Sequence, residues 1–583
     1  MAFEVKTPWL SNYGNVRFHL DYFDGSMWEA VRNIAHKYPN YIAFDFMGST
    51  TTYSEFEKQV TECAKALRAI GVKPKDRVTI CMPNCPQTVV MFYAVNLVGA
   101  VSNMIHPLSS ENEIEFFINH SKSVCALTMD MFYGKFEAIR PNLTTLKTLI
   151  IASIKDALSA PMKVGYALTQ GRKIKKIPAD APIIRWNDFI KGGKKYIGEY
   201  IATVKKDDPA VILYSGGTTG TTKGIVLTNL NFNTLKAQII ETNPIFEPGD
   251  KMLAVMPMFH GFGLGVTIHS MLANGGRCIL VPRFTPETYA KDIVKHHCNF
   301  IAGVPTLYEA LLRVPNMENA DLSCLKGVFS GGDSLSVALK RKFDKFLKDH
   351  NATIMVREGY GTTECVTASC LTPLHLYKEG SIGQPFPDTY YKIVDVGTNI
   401  EVPYGSEGEI CISGPTVMKE YLDQPEETAN TLRLHGDGMV WLHTGDLGSM
   451  DDEGFIYFKQ RIKRMIVTSG YNVYPSQIEN VLDNYEAIQM SCVIGVPDDY
   501  KMQKVKAFVM LKPGYEESEE TKQAILEYCK KNVAKYALPY DIEFRSTLPK
   551  TLVGKVAYRV LEEEELAKIE KQKQETEKEP ATV

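Results

Sequence analysis

Residues 214–224 read YSGGTTGTTKG: four glycines, four threonines, a serine and one lysine behind a tyrosine. Glycines let several backbone N–H groups converge on one anion, threonine hydroxyls add donors, and Lys223 adds a full positive charge. Phosphate is the ligand this chemistry suits. A Walker A loop needs glycine immediately before its lysine and serine or threonine immediately after it. Here Thr222 and Gly224 occupy those places, so the general P-loop is excluded on spacing. A plain surface linker does not account for such lysine and threonine density directly behind the apolar run PAVILYS (209–215).

Three further stretches follow in order. Read singly, EGYGTTE (358–364) is a glycine-rich turn with an acid, and WLHTGDLGSMDDEGFIYFKQR (441–461) is a hairpin with turn acids. LPKTLVGKVAYRVL (548–561) is the basic start of a helix. Together with the loop they resemble the adenylate-forming ligase superfamily of acyl-CoA synthetases, luciferases and peptide-synthetase adenylation domains. The loop keeps that family's Tyr214, Gly217, Thr218, Thr219, Gly220, Lys223 and Gly224, and departs from it at Ser215-Gly216 and Thr222.

The resemblance implies that Ser215, Gly217, Thr218, Thr219, Gly220 and Lys223 hold ATP phosphates, with Thr218 beside the metal. It places Tyr360 next to adenine, with Gly359, Gly361 and Thr362 around the nucleotide. Thr363 would contact the α-phosphate and Glu364 would ligate Mg²⁺. Asp446 would hold the ribose hydroxyls with help from Arg461. Lys555 would be the catalytic lysine, bridging the substrate carboxylate and the α-phosphate. Lys463, two residues beyond Arg461, matches the hinge about which the family's C-terminal domain turns; Gln460 stands where the family usually has glycine or aspartate.

The implied reaction brings a carboxylate to the α-phosphate of ATP. Two anions meet, so positioning and fixed positive charge matter more than covalent help. MPMFHGFGLG (256–265) aligns with the family's substrate wall. Amino-acid activators carry aspartate after the phenylalanine; here Phe259-His260 points to a non-amino acid with an apolar body, fatty or aryl. His260 reads as an acyl-tunnel gate or a partner of the carboxylate, with a plain wall histidine as the alternative. Gly261, Gly263 and Gly265 are expected to leave room for substrate. SGGDSLS (330–336) borders adenine and the acyl pocket, contributing Gly332 and the departure Asp333. Asp333 would meet the adenine amino group or a polar substrate group, or cap the following helix. No carrier domain follows the last motif, which favours coenzyme A as the thiol over a carrier protein. The expectation is a medium- or long-chain fatty acid:CoA ligase using ATP, Mg²⁺ and coenzyme A. Its rivals are a coumarate-type aryl acid ligase, a ligase loading a separate carrier protein, and an inactive acyl- or nucleotide-binding scaffold.

These residues need rigid elements behind them. From about Tyr53 to Gly361, short apolar runs such as DRVTICMP, PAVILYS, NFIAGVP and LKGVFSGG alternate with helical stretches. Such alternation predicts an α/β fold of doubly wound, mainly parallel sheets, with ligand loops beyond the carboxyl ends of strands. Past Gly383 the texture becomes a β-rich subdomain. Near Arg461 a small, mobile α+β unit begins, with a helix opening at YPSQIENVL. The expected division is 1–460, 461–566 carrying the lysine, and a charged, disordered tail over 567–583.

Lys+Arg 65 against Asp+Glu 68 argues against nucleic-acid binding. Twelve cysteines without a CxxC fit a reducing, cytoplasmic setting. His296-His297-Cys298 reads as a helix end rather than a metal site. The N-terminus lacks a signal-peptide core, and no apolar run is long enough to span a membrane. Residues 154–178 mix apolar side chains with Lys155, Lys163, Arg172, Lys173, Lys175 and Lys176. That composition fits peripheral contact with an anionic membrane. The alternative is a solvated basic loop, since Pro161 and Gly165 are expected to interrupt any helix.

Overall fold

The computed structural model describes residues 5–215, 222–468, 471–498, 501–551 and 555–578. Among them the chain forms four sheets. The first large sheet runs from Ser49–Thr52 and Ile42–Phe46 through Arg277–Leu280, Lys251–Ala254, Phe300–Gly303 and Gly327–Ser330 to Val356–Tyr360, mostly parallel. The second is parallel from Ile184–Arg185 through Thr148–Ala152, Cys125–Met129, Arg77–Cys81 and Val101–Met104 to Pro209–Ser215. Helices cover both, as βα alternation requires. The apolar run read as a helix forms Pro86–Leu97, buried from Gln87 to Leu97 on every face. A helix apolar all round belongs in an interior, and Tyr93 of this one hydrogen-bonds His269 of a neighbouring helix at 3.1 Å.

The loop after PAVILYS departs from the simplest βα reading. Pro209–Ser215 pairs antiparallel with Lys223–Thr228, placing Ser215 opposite Lys223. The two strands therefore form a hairpin, and among the described residues a strand, not the helix of a P-loop, carries the lysine.

The third sheet is the expected β-rich subdomain: Tyr390–Val394, Gly408–Ser413, Val440–Met450 and Leu432–Leu434, with Ile456–Arg461 on Val440–Met450. The fourth is the small C-terminal α+β unit. Ile488–Asp498 and Met502–Leu511 form its long hairpin, Asp541–Phe544 adds a parallel strand, and Pro475–Asp483 opens with proline in its first turn. The last helix, Tyr558–Lys578, runs through residue 566 into the stretch expected to be disordered.

Two local expectations are corrected. Residues 154–178 do contain a helix, Ala160–Leu168, because Pro161 falls in its first turn, where a missing N–H costs nothing. Helix Val337–Asp349 is capped by Ser336, whose hydroxyl accepts from the Leu339 N–H at 3.2 Å, and not by Asp333. His296 ends its helix, and His297 follows in the left-handed conformation that closes it. Among the described residues no helix is long and apolar enough to cross a membrane.

Candidate active site

The strands Pro209–Ser215, Gly327–Ser330 and Val356–Tyr360 end at one cleft, from their carboxyl ends as open α/β sheets dictate. At one side of it, antiparallel pairing sets Asp446 directly opposite Arg461, so the register itself brings acid and base together. Arg461 Nε lies 2.9 Å from Asp446 Oδ1, and the Tyr360 hydroxyl donates to Oδ2 at 2.5 Å. Arg461 also donates to the Thr444 carbonyl at 3.0 Å. Asp446 is only 1% exposed. Burial pushes its carboxyl up, while Arg461 and Tyr360 pull it back, and the same carboxylate drives the Arg461 guanidinium higher. The Tyr360 ring lies 5.9 Å from that of Phe458. Tyr360, Asp446 and Arg461, far apart in sequence, form one unit.

The opposite side carries Lys223, 9% exposed. Its ammonium sits 2.5 Å from Glu427 Oε2 and 4.6 Å from the centroid of the Tyr421 ring. The Tyr421 hydroxyl donates to Glu364 Oε1 at 2.8 Å. Tyr421 thus stands between the cation and the acid that sequence assigned to phosphate and metal. Thr362, buried, and Thr363 introduce the single turn Thr363–Cys365 that presents Glu364. Val366 and Thr367 follow at φ 54° and 71°, two β-branched residues held in the left-handed region, a strain the surrounding packing must enforce. Gly361 is required there: a Cβ on it would stand 2.6 Å from the Thr367 carbonyl carbon. Gly359 sits in the same strand end, on the wall of the slot described below. Gly217, Thr218, Thr219 and Gly220 lie outside the described residues.

Near the Asp446 side stands Lys555, delivered by the C-terminal unit. Its Cε lies 3.8 Å from where a Gly332 Cβ would be, and Gly332 itself has φ +82°. Burial lowers the Lys555 ammonium, the Asp333 and Asp446 carboxylates raise it, and Arg461 lowers it further. Asp333 lies exposed in the cleft, with one oxygen accepting from the Ser334 N–H at 3.0 Å. The protein crowding around it raises its carboxyl, and Lys555 opposes that rise.

Gly332 also borders a narrow apolar slot walled by Phe262, Val266, Phe329, Leu371 and Phe386. The hydroxyls of Ser330 and Thr367, which line it, are buried without a hydrogen-bond partner among the described residues. His260 stands half-buried; its Nδ1 accepts from the Phe262 N–H at 3.2 Å. Burial and the Lys555 charge push this imidazole down to about 3. It is therefore neutral, with its proton on Nε2 and free to donate.

The glycines beside His260 do not leave room for substrate. A Cβ on Gly261 would meet Thr367 Oγ1 at 2.1 Å, on Gly263 the Pro257 carbonyl oxygen at 2.1 Å, and on Gly265 a Val366 methyl at 2.9 Å. They allow the π-helical segment Phe262–His269 to press against protein, not ligand. Lys463 is exposed in the turn Ile462–Arg464. Its neighbour Arg464 points inward, ion-paired with Glu479 and 4.8 Å from the Tyr558 ring centroid.

Sequence reasoning missed Tyr421, Glu427 and Arg464. Tyr421 and Glu427 lie in EYLDQPEET, which has no glycine-rich or periodic signature. Only the pairing of Glu420–Tyr421 with Ile225 and Val226 carries Tyr421 to Lys223.

No group of three or more His, Cys, Asp or Glu able to hold a metal occurs among the described residues. One carboxylate, Glu364, is nevertheless the donor set that Mg²⁺ takes when phosphate oxygens and water complete its shell. The pairing of Asp446 with a tyrosine hydroxyl at one end, and a buried ammonium with a half-exposed counter-ion at the other, suits a nucleoside at the first and phosphates at the second.

The AMP-binding enzyme family model matches residues 31–422, and the AMP-binding enzyme C-terminal domain model matches residues 477–555. A long-chain-fatty-acid–CoA ligase of Bacillus subtilis is 36% identical over 96% of the chain and 99% of its own length. A 4-coumarate–CoA ligase 2 of Solanum tuberosum is 30% identical over 87% of each. The crystal structure of ATP-bound MatB from Rhodopseudomonas palustris superposes with a TM-score of 0.80 at 24% identity, covering 93% of this chain and 99% of that one. By motif, fold and family match alike, this chain belongs to the AMP-binding enzymes.

Proposed function

We propose that the chain is an ATP-dependent acid:CoA ligase that converts a medium- or long-chain fatty acid to its acyl-CoA through an acyl-adenylate, releasing AMP and pyrophosphate. The observation that carries this reading is Lys555 set against Gly332, which borders the apolar slot, and within reach of the Asp446 and Asp333 carboxylates. The full-length likeness to a fatty-acid–CoA ligase supports the choice of acid.

Asp446 and Arg461 hold the ribose and Tyr360 flanks the base. Lys223, with the loop's donors, takes the charge of the departing pyrophosphate, and Lys555 aligns carboxylate and α-phosphate. Mg²⁺ held by Glu364 would supply charge neutralisation on the phosphate oxygens. His260, kept neutral, donates from Nε2 to the acyl carboxylate without adding a second cation beside Lys555. Rotation about Lys463 then withdraws Lys555 and admits coenzyme A, a hinge closure of a common kind.

The test is AMP release from purified protein with Mg-ATP across acetate, octanoate, palmitate and cinnamate, with and without coenzyme A. Palmitate- or octanoate-dependent AMP that needs coenzyme A upholds the reading. Cinnamate as the preferred acid would move it to the aryl ligases, and no AMP with any acid would overturn it. Peripheral membrane contact forms a second part of the proposal. Val164 and Leu168 are exposed on the helix Ala160–Leu168 amid Lys155, Lys163, Arg172, Lys175 and Lys176. Salt-sensitive sedimentation with anionic vesicles is expected, and no uptake at low salt would dispose of it.

A further inference from the structure

Lys223 already has an anion. Its ammonium lies 2.5 Å from a carboxylate oxygen of Glu427, and among the described residues no other acid is ion-paired with it. The two partners differ in freedom: the lysine side chain is 11% exposed and the glutamate 44%. Lys223 is fixed by its strand and by the Tyr421 ring below it, whereas Glu427 rides on the seven-residue helix Pro425–Thr431, none of it buried. Burying a cation with no counter-charge is expensive, so an ammonium that awaits phosphate needs an interim partner.

We propose that Glu427 is that partner, a positioning residue whose carboxylate holds Lys223 where phosphate oxygens of the nucleotide will later bind, so that nucleotide entry and pyrophosphate departure proceed by exchange of one anion for another. The inference rests on the ligase reading above and deepens it. When phosphate arrives, two anions compete for one ammonium and repel each other. The half-exposed glutamate is the one able to turn into solvent, while Lys223 keeps its contact with the Tyr421 ring. Displaced, Glu427 has a cation to face: Lys463, in the hinge turn, already acts on its charge. On pyrophosphate release the carboxylate returns and helps expel the product. The Lys223 pair also holds the Glu427 carboxyl below the ordinary carboxylate value, so it stays an anion.

The experiment compares wild type with Glu427→Gln and Glu427→Asp, measuring KM for Mg-ATP, KM for the fatty acid, kcat, and binding of inorganic pyrophosphate by calorimetry, at low and high salt. Removing the competing charge is expected to lower the ATP KM and the pyrophosphate Kd about three- to tenfold at low salt. The difference should shrink at high salt, the acid KM should not move, and the aspartate variant should fall between the two. A merely structural glutamate would shift neither the ATP KM nor the pyrophosphate Kd selectively. Unchanged or weaker pyrophosphate binding by Glu427→Gln overturns the exchange proposal. If instead wild type binds ATP and pyrophosphate but forms no AMP with any acid, the ligase reading falls while tighter binding by the glutamine variant still upholds the exchange.

Discussion

At one end of the cleft Asp446 is buried on a long strand, meets Arg461 through a contact fixed by strand register, and accepts from the Tyr360 hydroxyl of another sheet. At the other, Lys223 meets a half-exposed Glu427 on a short surface helix. Both ends are ion pairs, yet they differ in what a ligand must do to them. The Asp446 arrangement is complete before anything binds, and its rigidity belongs to the fold. The Lys223 pair is complete only until a stronger anion comes. Preorganisation suits the nucleoside, which must stay through both half-reactions, and an exchangeable pair suits pyrophosphate, which must leave.

Lys555 serves neither end alone, and its loss should have the largest effect. Lys555→Ala is expected to slow acyl-adenylate formation about 10²- to 10³-fold, the scale of removing one well-placed charge donor. Thiolysis of supplied acyl-adenylate should be largely spared if, as proposed, that step follows withdrawal of the lysine. Single-turnover measurement of each half-reaction separates the two. Equal loss in both would mean that Lys555 holds the domains together rather than aligning the reacting groups.

The two ends should then part company when stability is read beside affinity. Asp446→Asn is expected to raise the ATP KM about 10- to 100-fold. It should also cost about 1–2 kcal/mol of stability, because the half-exposed Arg461 guanidinium and the Tyr360 hydroxyl lose a buried carboxylate partner. Lys223→Gln should raise the ATP KM by a similar factor yet shift stability by less than about 1 kcal/mol, since its partner is free to take up solvent. Thermal unfolding beside steady-state kinetics checks both variants. A large melting shift in Lys223→Gln would erase the contrast between the ends.

Most of this scaffold could be read in the sequence because its signals are local. PAVILYS, KMLAVMP and LKGVFSGG are short, apolar and bounded by turn residues, and each forms a strand. Pro86–Leu97 is apolar on every face and lies in the interior. What escaped depends on partners that local pattern does not name. The hairpin after Ser215 is set by pairing with Lys223–Thr228. The glycines at 261, 263 and 265 looked like space for substrate because small size reads the same whether the neighbour is ligand or backbone. Tyr421 and Glu427 reach Lys223 from some two hundred residues away. The site residues carried by motif, Tyr360, Glu364, Asp446, Lys223 and Lys555, do converge on one cleft, while the exchangeable acid among them had no motif to announce it.

The smallest expected effect lies just behind the rigid end. Glu358 shares the strand Val356–Tyr360 with Tyr360 and is buried near Lys340, which is itself ion-paired with Asp344 at 2.6 Å. Burial pushes its carboxyl from 4.5 up to about 8, with Lys340 opposing and Asp344 adding to the rise. The folded chain therefore keeps a proton there that the unfolded chain gives up near its ordinary value. Stability from this group is full below about pH 4.5, declines as pH rises toward 8, and is level above. Glu358→Gln, which is neutral throughout, should match wild type in melting temperature near pH 5 and exceed it by about 1–3 °C at pH 8. A pH-independent difference would mean that Glu358 ionises normally. The firmness of the Asp446 side would then owe nothing to a neutral acid in the strand that carries Tyr360. A gap that opens with pH would show that the Asp446 end keeps its rigid pairing while a strand beneath it bears an electrostatic cost, whereas at the other end the buried Lys223 ammonium is met by a half-exposed carboxylate.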